Sequence, residues 1–274
     1  MKRALVLLAF LSLSCGHYED TLKVPSIDHQ AEWAKKVESF KRELEPHRAE
    51  IRDAVSRCSS EAELGITYRV DYLSTEICRK PVKVRGNQVR YTVARGTEGK
   101  AVILLSLGME LRSPSGRNRE LEILEMVRSC IPHAKTLFER YGINFELTMD
   151  EFTPDSNYDS VVKLIDSDDA PMNSSSWRIH PESHGDFTAE TCGNFFHEIG
   201  HLLGGSDEYL DTTCPDREYV ETSTFPYSIM GRNANFENTD FYSRHIKDMI
   251  RPLCEDLAAR QNWPKQLRYD FRQM

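Results

Sequence analysis

Apolar residues recur along this chain in three rhythms, and each predicts a different kind of element. From Ile66 to Ala94 they alternate with polar ones, as Tyr68-Val70-Tyr72 and Val82-Val84 followed by Val89-Tyr91-Val93. That is the period of half-buried strands, and it predicts a hairpin centred on Arg85-Gly86-Asn87. Ala101 to Leu107 reads as a buried strand, Ile143 to Leu147 alternates as a second, and Val161 to Ile165 forms a third. Trp177-Arg178-Ile179 has the composition of an edge strand. Helical spacing governs Trp33, Val37, Phe40 and Leu44 and, after Pro46, Ile51, Ala54 and Val55. It returns between Asn118 and Tyr141, where Pro132 must kink the helix or mark a restart. A last helix runs through Phe241, Ile246, Met249 and Ile250, capped by Thr239 or Asp240 and kinked at Pro252. The third rhythm is the apolar run from Ala4 to Leu13 at the N-terminus.

One helical segment carries chemistry as well as periodicity. His197-Glu198-Ile199-Gly200-His201 is an HExxH pattern, which on a helix makes a zinc site. At roughly 100° per residue, His201 lies about 40° and Glu198 about 100° round from His197. Both imidazoles face one ion, and the carboxylate stands beside the ion's open position. Phe195, Phe196, Ile199, Leu202 and Leu203 fall on the opposite arc and face a core. Asp186 or Thr188 caps this helix, with Glu190 in its first turn. Gly204 and Gly205 tolerate positive φ and end it sharply. The chain then folds back and brings Asp207 to the metal, with Glu208 next door as the competing acid. Two nitrogens and one oxygen leave a tetrahedral ion one open position, as in a catalytic site. His180 and His184, with Pro181 between them, read as surface histidines.

Downstream, Tyr227-Ser228-Ile229-Met230-Gly231 reads as a tight turn carrying a methionine. HExxHxxG, a ligand ten residues after the first histidine and a later Met-turn together resemble the metzincin metallopeptidases. The third ligand is usually histidine there, and the aspartate resembles the snapalysin-like variant. The resemblance implies an α+β catalytic domain over residues 96–274: a twisted mixed sheet with an edge strand, a long backing helix, a zinc-binding active-site helix and a C-terminal helix. It also implies one catalytic Zn2+ on His197, His201 and Asp207, Met230 as the Met-turn methionine, and Glu198 as general base. The edge strand would pair with an extended peptide substrate over the metal. Many metzincins add a tyrosine two residues after the Met-turn methionine; Arg232 stands there, leaving Arg232, Tyr227 and Tyr209 as candidates for the oxyanion.

The ends of the chain place the protein outside the cytoplasm. Met1-Lys2-Arg3, the short apolar run and Ser14 describe a signal peptide over residues 1–14. Cys15 directly after it resembles a lipobox, with Ser12 where leucine is usual. Lipidation there would anchor the protein to a membrane, and Gly16 resembles outer-membrane sorting in Gram-negative bacteria; without lipid the protein is periplasmic or secreted. The region 15–95 then comprises a tether, a charged helix and the hairpin. Residues 28–80 are either a solvated amphipathic layer or a pro-segment over the cleft. Six further cysteines, Cys58, Cys78, Cys130, Cys192, Cys214 and Cys254, allow up to three disulfides; proximity favours Cys58–Cys78.

The net charge of −8, from 35 basic and 43 acidic residues, is mild, and no basic run points to nucleic acid. The sequence reads as an exported zinc endopeptidase acting on proteins or peptides. Its rival is a non-catalytic exported binding or adhesion lipoprotein that keeps zinc for stability. Cys15→Ser is expected to move the protein from the membrane fraction to the soluble exported one; a wild type already soluble would leave only an ordinary secretory signal.

Overall fold

The computed structural model describes residues 42, 45–46, 48–60, 62, 67–79, 82–205, 207, 228–230, 241, 243–254 and 272–273. The signal segment, Cys15 and the charged stretch from Asp28 to Lys41 lie outside them. Residues 42–274 form one compact unit, an α+β fold around a mixed, open sheet.

A helix over residues 48–60, α1, comes first. It buries Ile51 and Val55 and ties itself to the rest through Ser59 Oγ, which donates to the Lys100 carbonyl at 2.7 Å. The alternating segment then forms one long hairpin, β1 (Thr67–Arg79) and β2 (Val82–Arg95). Its register runs unbroken from Thr67 opposite Ala94 to Arg79 opposite Val82. The turn expected at Arg85-Gly86-Asn87 is therefore corrected: these residues sit in mid-strand, opposite Glu76, Thr75 and Ser74. Gly86 serves packing there instead, since a Cβ would lie 3.1 Å from the Leu73 side chain and 3.2 Å from the Ser74 carbonyl.

After a 3-10 turn at Thr97–Gly99 comes β3 (Ala101–Arg112), on which the sheet is organised. Ala101–Leu104 pair with β2 on one edge. Along the other edge Ala101–Met109 pair with β4 (Ile143–Glu151), in parallel. From Leu107 onward β3 also pairs in parallel with β5 (Ser160–Asp166). A strand has two edges, so β5 takes over the edge that β2 leaves. Asp159 marks the exchange: its carboxylate accepts the Ser106 N–H at 2.7 Å and pairs with Arg69 of β1. The predicted edge strand is found as β6 (Ser176–Ile179), parallel to β5 and last in the strand order. Its first residue is already paired on the outside, by an antiparallel bridge to Asn173.

Val93, Ile103, Phe145, Leu164 and Trp177 share one face through these registers, and all five are fully buried. Helices cover that face. The helix predicted between Asn118 and Tyr141 is two, α2 (Glu120–Arg128) and α3 (Ile131–Glu139). The break falls just before Pro132, because proline has no N–H to donate backwards and is tolerated only in a first turn. Phe138 of α3 stacks on Phe145 at 4.3 Å between ring centroids. The helix α4 (Gly193–Leu202) lies beside it, with Phe195 5.3 Å from Trp177. Cys130, at the break between α2 and α3, is disulfide-bonded to Cys192, which precedes α4. Closing that 62-residue separation contributes about 4 kcal/mol on the chain-entropy estimate. Cys58 is disulfide-bonded too, and the side chain of Cys78, its expected partner, lies outside the described set.

The C-terminal helix is shorter than expected: α5 (Ser243–Met249), then a 3-10 turn at Arg251–Cys254. Pro252 explains the change, since it cannot donate to the carbonyl one turn back. Tyr91 Oη reaches from β2 to the Met249 carbonyl at 2.9 Å. A two-residue strand, β7 (Arg272–Gln273), pairs with the start of β1.

The hairpin is thus part of the sheet and its core. Val70, Val89, Tyr91 and Val93 are each at most 1% exposed. At about 1.5–3 kcal/mol per buried apolar side chain, these four approach the roughly 5–15 kcal/mol net stability of a typical domain. A chain lacking residues 1–95 is expected to show no cooperative melting by circular dichroism. A sharp transition in that truncated chain would mean that the first 95 residues are dispensable to the fold.

Candidate metal centre

The segment leading to α4 is tied to the backing helices at three levels. Arg117 and Arg119 hold the Pro181 carbonyl, Ser129 Oγ accepts the Phe187 N–H at 2.8 Å, and the Cys130–Cys192 bridge closes the series. The helix itself starts later than expected. Its N-cap is Cys192, with no side-chain cap, and Thr188 instead accepts the Thr191 N–H within the preceding turn. Phe195, Phe196, Ile199 and Leu202 are buried on the core side as their spacing predicts.

The helix ends in a Schellman motif. Gly205 N–H reaches the Gly200 carbonyl at 2.8 Å and Gly204 N–H the His201 carbonyl at 3.0 Å. Gly204 takes the left-handed conformation, φ +92°, which glycine adopts without a Cβ penalty. Gly205, expected to share that role, does not have positive φ. A Cβ on Gly204 would also overlap the Tyr72 hydroxyl of β1.

This turn delivers the side chains that converge. His197 Nε2 lies 3.1 Å and His201 Nε2 3.2 Å from the same oxygen, Asp207 Oδ1. The two imidazole rings stand perpendicular, 4.8 Å apart. Each ring is oriented from behind: His197 Nδ1–H donates to the Ile229 carbonyl and His201 Nδ1–H to the Gly205 carbonyl, both at 2.8 Å. Those bonds fix the proton on Nδ1 and turn both Nε2 lone pairs inward, towards a carboxylate oxygen that also has only lone pairs. Three electron-rich atoms this close are stable only around positive charge. Burial opposes ionisation of Asp207, but when each Nε2 carries a proton the hydrogen bonds and charge from His197 and His201 outweigh it and hold the carboxyl well below its usual range. Burial likewise opposes protonation of His201, and Asp207 overcomes it, raising the imidazole. The same field that favours a proton favours a metal cation. Among the described residues, this is the one group of three metal-ligating side chains within reach of a common ion.

Glu198 is 6% exposed, and its Oε2 has no hydrogen-bond partner among the described residues. Burial pushes its pKa up, offset by the two histidines and reinforced by Asp207. Met230 is fully buried against the underside of the helix end. A Cβ on Gly200 would overlap its Sδ, and one on Gly205 would lie 3.2 Å from it. Ile229, beside it, supplies the carbonyl that orients His197. Sequence reasoning missed the Ile229 and Gly205 carbonyls, because every residue carries one and only the fold selects which is used. His180 and His184 form no second centre; they are 59% and 64% exposed and face Asp168 and Glu122. Glu208, Tyr209, Tyr227 and Arg232 lie outside the described residues.

A scan against protein-family models and a search of curated proteins give no match for this chain. No helix among the described residues is long and apolar enough to cross a membrane.

Asp207→Ala removes the one anionic member of the cluster. Metal affinity is expected to fall by more than the 10–100-fold typical of losing an outer-shell partner, with the circular dichroism spectrum retained. Unchanged metal content in Asp207→Ala, with loss in Glu208→Ala, would transfer the ligand role to the neighbour.

Proposed function

We propose that this chain is a zinc-dependent endopeptidase of metzincin-like organisation, with His197, His201 and Asp207 as metal ligands and Glu198 as general base. The observation that carries the reading is the pairing of an inward-facing His-His-Asp set with an adjacent buried carboxylate whose Oε2 has no partner. Two imidazole nitrogens and one carboxylate oxygen suit zinc. Tetrahedral bonds of about 2.0–2.1 Å would separate neighbouring ligand atoms by about 3.3–3.4 Å, close to the 3.1 and 3.2 Å between the imidazoles and Asp207. Bound there, zinc supplies Lewis-acid polarisation of a water and of a peptide carbonyl.

The chain's own residues do the rest. Glu198 takes the proton of the attacking water through its free carboxylate oxygen and returns it to the leaving amine. Its burial matches this task, because a raised carboxyl pKa brings the group closer to both proton donor and proton acceptor at neutral pH. The Ile229 and Gly205 carbonyls keep the two imidazoles in the tautomer that binds metal. Met230 and Gly200 keep the floor of the site closely packed. A zinc-stabilised binding protein would need the ligands but not Glu198; leaving a buried carboxylate oxygen unpaired costs about 1–3 kcal/mol or more, which a purely structural site has no reason to bear. Export, and anchoring through Cys15, complete the proposal from the sequence.

Glu198→Ala is expected to retain about one zinc per chain and an unchanged melting curve, while peptidase activity on casein falls at least 10²-fold, the usual loss with a general base. Full activity in that variant would sink the mechanism. A zinc-loaded wild type that cuts neither casein nor gelatin would favour the binding protein.

A further inference from the structure

The β1–β2 hairpin does more than extend the sheet. Along its helix-facing side, successive rungs are Val70 opposite Tyr91, Tyr72 opposite Val89, and Ser74 opposite Asn87, since alternate residues of a strand share a face. The middle rung touches the metal-binding turn. A Cβ on Gly204, three residues after His201, would overlap the Tyr72 hydroxyl and lie 3.9 Å from Val89 Cγ1. The next rung touches the segment before β6, where the Ser174 hydroxyl donates to Asn87 Oδ1 at 3.0 Å. Ser174 immediately precedes the segment Ser175–Ser176 that leads into β6. Two rungs about 7 Å apart therefore join the metal-binding turn to the beginning of β6.

Asn87 is half-buried. Its Oδ1 is engaged by Ser174, and its Nδ2 donates to none of the described residues. A side-chain amide with one end fixed and the other unspent is a preoriented donor. We propose that Asn87 positions the substrate of the metal site: its Nδ2 donates to a backbone carbonyl of an extended peptide, and the hairpin forms the wall that aligns the chain over the metal. The amide is neutral and the acceptor is present in every peptide, so this contact selects extended conformation rather than a side-chain type. The inference rests on the peptidase reading, and it makes the hairpin a lasting part of the working site rather than a segment removed on activation.

The test uses the full exported chain loaded with zinc. A fluorescein-labelled casein peptide is titrated into the inactive Glu198→Ala protein, and its anisotropy gives the Kd. The same peptide is used for KM and kcat with Glu198 intact. Asn87→Ala is expected to raise both Kd and KM by about tenfold, the upper range for one neutral hydrogen bond, with kcat within about twofold and zinc content unchanged. Asn87→Asp should behave like Asn87→Ala, because it retains the acceptor for Ser174 but lacks the donor. Ser174→Ala should raise Kd and KM by less than either Asn87 variant, because it frees the amide but leaves its donor in place. Unchanged Kd and KM in both Asn87 variants, beside a wild type that binds and cuts, would overturn this proposal alone. A loss in Ser174→Ala as large as that in Asn87→Ala would overturn it too, by reducing Asn87 to a brace for the start of β6. A wild type that neither binds nor cuts the peptide would overturn the peptidase reading and this inference with it.

Discussion

The metal centre depends on one electrostatic constraint: two imidazole lone pairs and a carboxylate oxygen are held within about hydrogen-bonding distance of each other in a buried place. Left alone, these atoms repel and would turn away. They stay because each imidazole is pinned from behind by a backbone carbonyl. Much of the surrounding structure serves that arrangement. The Schellman motif sets the turn, Met230 fills the space that only glycine at position 200 leaves open, and the Cys130–Cys192 bridge ties the start of the helix to the backing helices. A cation between the three atoms relieves the repulsion, so ion binding and local order reinforce one another.

What could be read in the sequence was local. His197, Glu198 and His201 lie within one turn or so of a helix, and their relation follows from its pitch. Gly204 could be assigned as the helix terminator because positive φ is a property of a single residue. The order of strands and helices from β3 onward followed from periodicity. The readings that failed were those set by partners distant in sequence. Gly86 resembles a turn residue, yet cross-strand packing by Leu73 and the pairing of β1 with β2 make it a strand residue. Thr188 has the chemistry of a helix cap, but the disulfide at Cys192 coincides with a later start. The cysteine pairing itself joins residues 62 apart, a proximity that only the packing of α4 against the backing helices creates.

The central strand explains why the N-terminal third cannot be treated as an appendage. β3 offers one edge first to β2 and then to β5, and Asp159 holds the exchange point by bonding Ser106 while pairing with Arg69. Strands from the N-terminal hairpin and from the metal-bearing half therefore share one ladder. A boundary near residue 95 has meaning along the chain but none through the sheet. The same sharing gives the hairpin its place beside the metal-binding turn.

The covalent tie between the backing helices and the start of α4 also bears on how the centre would exchange its ion. In many small metal-binding domains the ligands scatter when the ion departs, and reloading must wait for the chain to fold again. Here α4 is moored at its first turn by a sulfur bridge and along its length by Phe195, Ile199 and Leu202 in the core. Ion loss then becomes a local event confined to the Asp207 side of the site, while both histidines stay on a helix that has nowhere to go. Such a centre would empty and refill without passing through the unfolded state.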